Sequence, residues 1–197
     1  MKVFLIGYRA AGKTTVGQLL SRKLKIPFAD TDQLVETAAG MPIKELVARE
    51  GWDAFREKET EAIASLRGTG LCVVATGGGA VLSEVNRAML KEMGSMIYLK
   101  TPPDLIVERL KLDARESGVR PQFTAETLEA ETMAVLTRRI PVYESIADFT
   151  VDTAGKGIVQ VNGDIYQLLL EAGIVADIDK TKKQLRRKKI GGGGNGG

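Results

Sequence analysis

Gly12, Lys13 and Thr14 are the neighbours in this chain whose types and spacing specify chemistry most directly. With Gly7 they complete G-x-x-x-x-G-K-[ST] over residues 7–14, a pattern whose parts bind phosphate by known mechanics. Gly7 and Gly12 let the backbone turn tightly and approach an anion with no Cβ in the way. The amides exposed by that turn converge on one anion, reinforced by the positive end of a helix that starts near Lys13. Lys13 would hold the β and γ phosphates of a nucleoside triphosphate as a point charge. Thr14 offers a hydroxyl to Mg²⁺, an ion that takes few protein ligands and keeps several waters. A chance match in a chain with 22 glycines is the competing explanation. The flanks argue against chance: apolar residues 3–6 read as a buried strand, and Val16, Leu19, Leu20 and Leu24 as the inner face of a helix.

Two more groups have the chemistry to work beside a phosphate. Asp30 and Asp32 follow a short strand pattern at residues 26–29; on an extended segment both side chains would point the same way. One could orient the magnesium through water while the other reaches a substrate hydroxyl. For Asp32 the plainer alternative is a helix N-cap. Gly77, Gly78 and Gly79 follow the apolar run 71–75 and suit close backbone approach to a ligand, or merely a flexible turn. The chain has no histidine, so a general base must be a carboxylate, lysine, tyrosine or the substrate itself. Its single cysteine, Cys72, lies in an apolar run and reads as core, with no disulfide or zinc site implied.

The elements that must position these groups alternate. Strand patterns at residues 3–6, 26–29, 71–75, 96–99 and 149–151 are separated by helix patterns, which predicts an α/β three-layer sandwich with a central, mainly parallel five-stranded sheet. In such a sheet ligands bind outside the carboxyl ends of the strands, where all three groups fall. At 197 residues and 44% hydrophobic content, one domain is expected, over residues 1–175. Its helices near 31–67 would carry the acceptor, and residues 113–124, where periodicity fails, would form a mobile lid. A helix at 125–146 is expected to be interrupted near Pro141. Seven of the 28 basic residues fall within 180–189, leaving 21 basic against 25 acidic residues elsewhere. Residues 176–197, basic and then Gly-rich, are expected to be a disordered tail. The N-terminal apolar run is too short for a signal peptide or a membrane span, so a cytoplasmic protein is expected.

Together these motifs resemble the shikimate kinase family over residues 2–171. GYRAAGKT (7–14), FADTD (28–32), FREKE (55–59), ATGGGAV (75–81), Arg120-Pro121 and RIPVY (139–143) occur in the family's order. The resemblance implies a P-loop fold like that of nucleoside monophosphate kinases. It implies ATP-dependent phosphorylation of the 3-hydroxyl of shikimate, in aromatic amino-acid (chorismate) biosynthesis. It assigns ATP binding to Ala10, Ala11, Gly12, Lys13, Thr14 and Thr15, to Arg120 as a lid arginine over the phosphates, and to Lys156 on the adenine side. It assigns Mg²⁺ to Thr14 and Asp30, and shikimate to Asp32, Arg56, Gly77, Gly78, Gly79 and Arg139, with Glu59 as a supporting acid. Lys13, Asp32 and Arg120 would be catalytic. Ala10 stands where the family often has glycine, and Trp52 where an acid is commoner.

The chemistry agrees with that assignment. A planar carboxylate with three hydroxyls asks for guanidinium forks and a carboxylate acceptor, which Arg56, Arg139 and Asp32 would supply. The alternatives are another small-metabolite P-loop kinase, acting on gluconate or a nucleoside monophosphate, or a non-catalytic P-loop module tethered to nucleic acid through residues 180–189. A basic run is ordinarily a solvated tail, so the expected partners are ATP and shikimate, with no nucleic acid or membrane, for a monomer.

Overall fold

β1 (Lys2–Ile6) is buried along its whole length because it lies at the centre of a five-stranded sheet of order β2-β3-β1-β4-β5. The computed structural model describes residues 1–116 and 125–191. The other strands are β2 (Phe28–Asp30), β3 (Cys72–Ala75), β4 (Gly94–Lys100) and β5 (Phe149–Asp152), and every pairing is parallel. Parallel neighbours require crossovers, which the helices supply: α1 (Lys13–Leu24), α2 (Thr31–Ala39), α3 (Ile43–Ser65), α4 (Glu84–Met93), α5 (Pro103–Glu116), α6 (Ala125–Ile146), α7 (Ile158–Glu171) and α8 (Ile174–Gly191). The chain leaves β1 toward one edge of the sheet and, after β3, crosses to the other side of β1. The strand order therefore reverses around β1, the point where such sheets open a binding crevice.

Alternation along β1 divides the core into two layers. Val3 and Leu5 pack with Leu20 of α1, Ile165 and Leu169 of α7 and Ile178 of α8. Phe4 and Ile6 pack on the other face with Ile63, Leu90, Ile106 and Tyr143. A smaller cluster, Val35, Leu46, Phe55 and Ala62, binds α2 to α3. Gly51 (φ 87°, ψ 174°) breaks the helical path of α3 as its glycine suggests, so Trp52 begins a second helical segment. Cys72 is buried, as expected.

Three expectations need correction. The run 176–191 is not a disordered tail: α8 continues to Gly191. Val175 and Ile178, three residues apart, are buried against α1 and α7, and Lys182 Nζ donates to the Leu24 carbonyl at 2.9 Å and pairs with Asp179 at 2.7 Å. Two apolar anchors therefore dock a segment whose average composition is too polar to fold alone. Residues 192–197 lie outside the described residues. Ile178→Ala is expected to cost about 2–4 kcal/mol of stability, measured by urea unfolding, since it deletes a fully buried branched side chain.

α6 runs unbroken through Pro141. Leu136 and Tyr143, fully buried on either side, hold it in place and offset the lost backbone hydrogen bond. α5 extends to Glu116, past the expected start of a lid at 113. The rest of that segment, 117–124 with Arg120, lies outside the described residues. Among the described residues no helix is long and apolar enough to cross a membrane.

Candidate functional site

Register brings the functional ends of three strands to one rim. Ala75 pairs with Leu5 on one side and Asp30 on the other, and the Thr76 amide donates to the Leu5 carbonyl at 3.1 Å. The loop after β1, the β2–α2 junction and the glycine turn after β3 thus meet at the carboxyl edge of the sheet.

The loop after β1 is shaped as its motif demands. Gly12 is the N-cap of α1 with φ +90°, and no side chain caps the helix, so its first amides remain directed at the pocket. Ala10, where glycine is commoner, adopts the left-handed region at φ 60°, a conformation that costs a Cβ-bearing residue on the order of 1 kcal/mol. Lys13 is buried, and its Nζ donates to the Tyr8 carbonyl at 2.7 Å, arching over its own loop. Burial lowers its pKa to about 8, against the opposing pull of Asp32 and Asp30.

The two aspartates divide their work. Asp30, last residue of β2, is the N-cap of α2: its Oδ1 accepts from the Asp32 amide at 3.0 Å. Its Oδ2 accepts from the Thr14 hydroxyl at 2.7 Å. The capping role considered for Asp32 therefore belongs to Asp30. Asp32 lies inside α2 rather than on an extended segment, and both acids still line the same pocket because the chain turns between them. Burial, then the neighbouring Asp30 charge, raises the Asp32 pKa to about 6, although Lys13 opposes the shift.

Magnesium fits this arrangement. The Thr14 hydroxyl and Asp30 carboxylate are hard oxygen donors at the phosphate pocket, and the ion needs few protein ligands when phosphates and water complete its shell. Among the described residues no cluster of three acidic, Cys or His side chains could hold a metal ion by itself.

On the far side of Asp32 a recess of about 370 Å³ is lined by Arg56, Arg139, Glu59, Trp52, Phe55 and the three glycines, among others. Glu59, 1% exposed, binds Arg56 Nη1 through Oε2 at 2.6 Å. Its Oε1 has no partner among the described residues. Burial pushes the Glu59 pKa up, opposed by the Arg56 guanidinium. Arg139 lies 5.6 Å over the Tyr8 ring and donates to the Gly78 carbonyl at 3.4 Å. Tyr143 donates to the same carbonyl at 2.6 Å, and burial raises its pKa to about 12. The glycines are required by the site's own side chains. A Cβ at Gly77 would lie 2.5 Å from Asp32 Oδ1 and 2.8 Å from Glu59 Oε1, and one at Gly79 would lie 2.7 Å from Arg56 Nη2.

On the near side of the loop a third cavity, about 300 Å³, is lined by Ala10, Ala11, Gly12, Thr15, Arg109, Thr153 and Lys156, among others. Lys156 lines this cavity, with its Nζ paired to Asp164 at 2.8 Å. Arg109 donates to the Ala10 carbonyl at 2.9 Å. It escaped the sequence reading because an arginine in an amphipathic helix carries no motif of its own. Tyr8 was missed for the opposite reason: it sits at a variable position inside a motif whose fixed positions drew the attention.

A phosphate cradle at the switch point of a parallel sheet, flanked by one cavity of nucleobase size and one basic recess, defines a P-loop phosphotransferase of a small anionic acceptor. A family model described as shikimate kinase matches residues 9–170. The chain belongs to that family, and it is a kinase that uses ATP as co-substrate. It is 43% identical over 173 residues to a shikimate kinase of Syntrophus aciditrophicus, covering 84% of this chain and 89% of the relative. A 43% identity over 172 residues links it to a shikimate kinase of Oleidesulfovibrio alaskensis, covering 87% and 99%. Among solved structures, a shikimate kinase from Acinetobacter baumannii in complex with shikimate superposes with a TM-score of 0.79 at 34% identity, covering 87% of this chain and 93% of that one.

Proposed function

We propose that this chain transfers the γ-phosphoryl group of ATP to the 3-hydroxyl of shikimate, giving ADP and shikimate 3-phosphate, a step of aromatic amino-acid biosynthesis. The observation that carries this reading is the recess itself, where two guanidinium groups and the Asp32 carboxylate surround a space that adjoins the phosphate pocket. Arg56 and Arg139 bind the shikimate carboxylate, with Glu59 orienting Arg56. Asp32 accepts a hydrogen bond from the 3-hydroxyl and takes its proton as the new bond forms. The amides of residues 10–15 and Lys13 hold the triphosphate, and the cavity beside Arg109 and Lys156 takes the nucleobase. Thr14 and Asp30 would hold Mg²⁺, which would supply charge neutralisation to the triphosphate. Dependence on ATP supports a cytoplasmic location.

A coupled assay of ADP release against a panel of acceptors tests the assignment. Shikimate is expected to be turned over, and turnover of gluconate or a nucleoside monophosphate in its place would overturn it. Arg139→Lys keeps the charge but loses the planar fork, so KM for shikimate is expected to rise about tenfold with kcat within about threefold. Initial rates at saturating ATP measure both, and an unaltered KM would remove Arg139 from the carboxylate site.

A further inference from the structure

Three residues line both the phosphate pocket and the acceptor recess: Asp32, Gly78 and Arg9. The boundary between these two spaces is where a phosphoryl group must cross. Asp32 brings a carboxylate to it and Gly78 a stretch of backbone, while Arg9 brings a cation. We propose that Arg9 is a catalytic residue that grips the phosphoryl group during its passage from ATP to the acceptor. The proposal rests on the shikimate kinase activity proposed above.

The backbone of Arg9 is held firmly while its side chain is free to reach. A Cβ on Gly78 would approach the Arg9 amide nitrogen to 3.0 Å, so the loop after β1 presses against the glycine turn at this residue. The Arg9 side chain is exposed. The other described cations of the site are engaged: Arg56 with Glu59, Lys13 with the Tyr8 carbonyl, Arg109 with the Ala10 carbonyl, Arg139 with the Gly78 carbonyl and Lys156 with Asp164. Among the described residues Arg9 has no hydrogen bond or ion pair, and its guanidinium lies only 5.7 Å from the ring of the adjacent Tyr8. Its five N–H donors are available to a ligand.

Charge balance asks for such a group. Among the described residues the phosphate pocket, apart from Arg9, sets Lys13 against the carboxylates Asp30 and Asp32. Arg9 adds a guanidinium at the boundary itself, where charge shifts as the phosphoryl group moves. During transfer, charge spreads over the three equatorial oxygens of the moving group. The 3-oxygen of shikimate forms a bond to the γ-phosphorus, and the bond from that phosphorus to the β–γ bridging oxygen breaks. Its electron pair leaves with ADP, and the hydroxyl proton passes to Asp32. Arg9 exchanges no proton; its planar fork spans two of the equatorial oxygens as they move away from Lys13. The product carries the same group at the same boundary, so Arg9 should also favour shikimate 3-phosphate over shikimate.

Arg9→Met and Arg9→Lys in the full chain test this, by steady-state kinetics and by titration of shikimate and shikimate 3-phosphate. Arg9→Met is expected to lower kcat about 10–100-fold while KM for ATP and shikimate stays within about threefold. Its affinity for shikimate 3-phosphate should fall about tenfold with that for shikimate unchanged, and Arg9→Lys should recover part of both losses. A solvated arginine with no part in transfer would leave kcat within twofold and the ratio of the two affinities unaltered, which overturns the proposal. A drop in kcat with that ratio intact also overturns it, since the effect would then be structural. Wild-type protein inert toward shikimate would overturn the activity as well; active wild type matched by Arg9→Met overturns the role of Arg9 alone.

Discussion

Lys13→Ala is expected to lower kcat with shikimate by about 10²–10³-fold while the protein stays folded. The lysine ammonium is the cation buried at the base of the phosphate pocket, and its cost of desolvation is visible in a pKa drawn down to about 8. A group kept charged at that expense is useful only where charge develops, and phosphoryl transfer is positioning and charge neutralisation almost throughout. The hydrogen bond to the Tyr8 carbonyl holds Nζ over the loop until phosphate oxygens replace it. Lys13→Arg should restore little, because a planar fork on a longer stem cannot occupy a position arched over its own loop. A coupled assay reads the rate, and a thermal melt separates lost chemistry from lost fold. A Lys13→Ala enzyme within tenfold of wild type would remove the lysine from the transition state.

The parts of this molecule that were legible in the sequence are those where local pattern and tertiary role coincide. Strands buried on both faces read as unbroken apolar runs, such as residues 3–6 and 71–75, and the loop motif carries its own spacing. Less legible was anything decided by a contact far along the chain. Val175 and Ile178 turn a basic segment into a docked helix, and two apolar residues among so many charges leave no periodic signal. The glycine turn was recognised, but the reason for its glycines lay in Asp32, Glu59 and Arg56, which only folding brings beside it. Asp30 and Asp32 were found as a pair, yet which of them caps α2 depends on where the helix begins, and boundaries are the weakest part of any pattern reading. Arg9 stood inside the motif as an unspecified position, and its place between two pockets is a property of the fold alone.

Asp32→Asn is expected to lower kcat by about 10²–10³-fold and, unlike Lys13→Ala, to change the shape of the pH profile. The amide keeps an oxygen that can accept from the shikimate hydroxyl, so KM should move by no more than about threefold, while the capacity to take a proton is gone. In wild type the Asp32 carboxyl titrates near 6, raised mainly by burial and then by the Asp30 charge. A base must be deprotonated to act, so kcat/KM should rise as pH increases through about 6. Lys13 must be protonated to hold phosphate, so kcat/KM should fall again as pH passes about 8. Asp32 and Lys13 shift one another in opposite senses, so the two limbs describe the pair rather than either residue singly. In Asp32→Asn the acid limb should flatten while the alkaline limb persists. A residual activity that still climbed through pH 6 would assign that limb to another acid, with Glu59, buried beside Gly77 and also shifted upward, the nearest candidate.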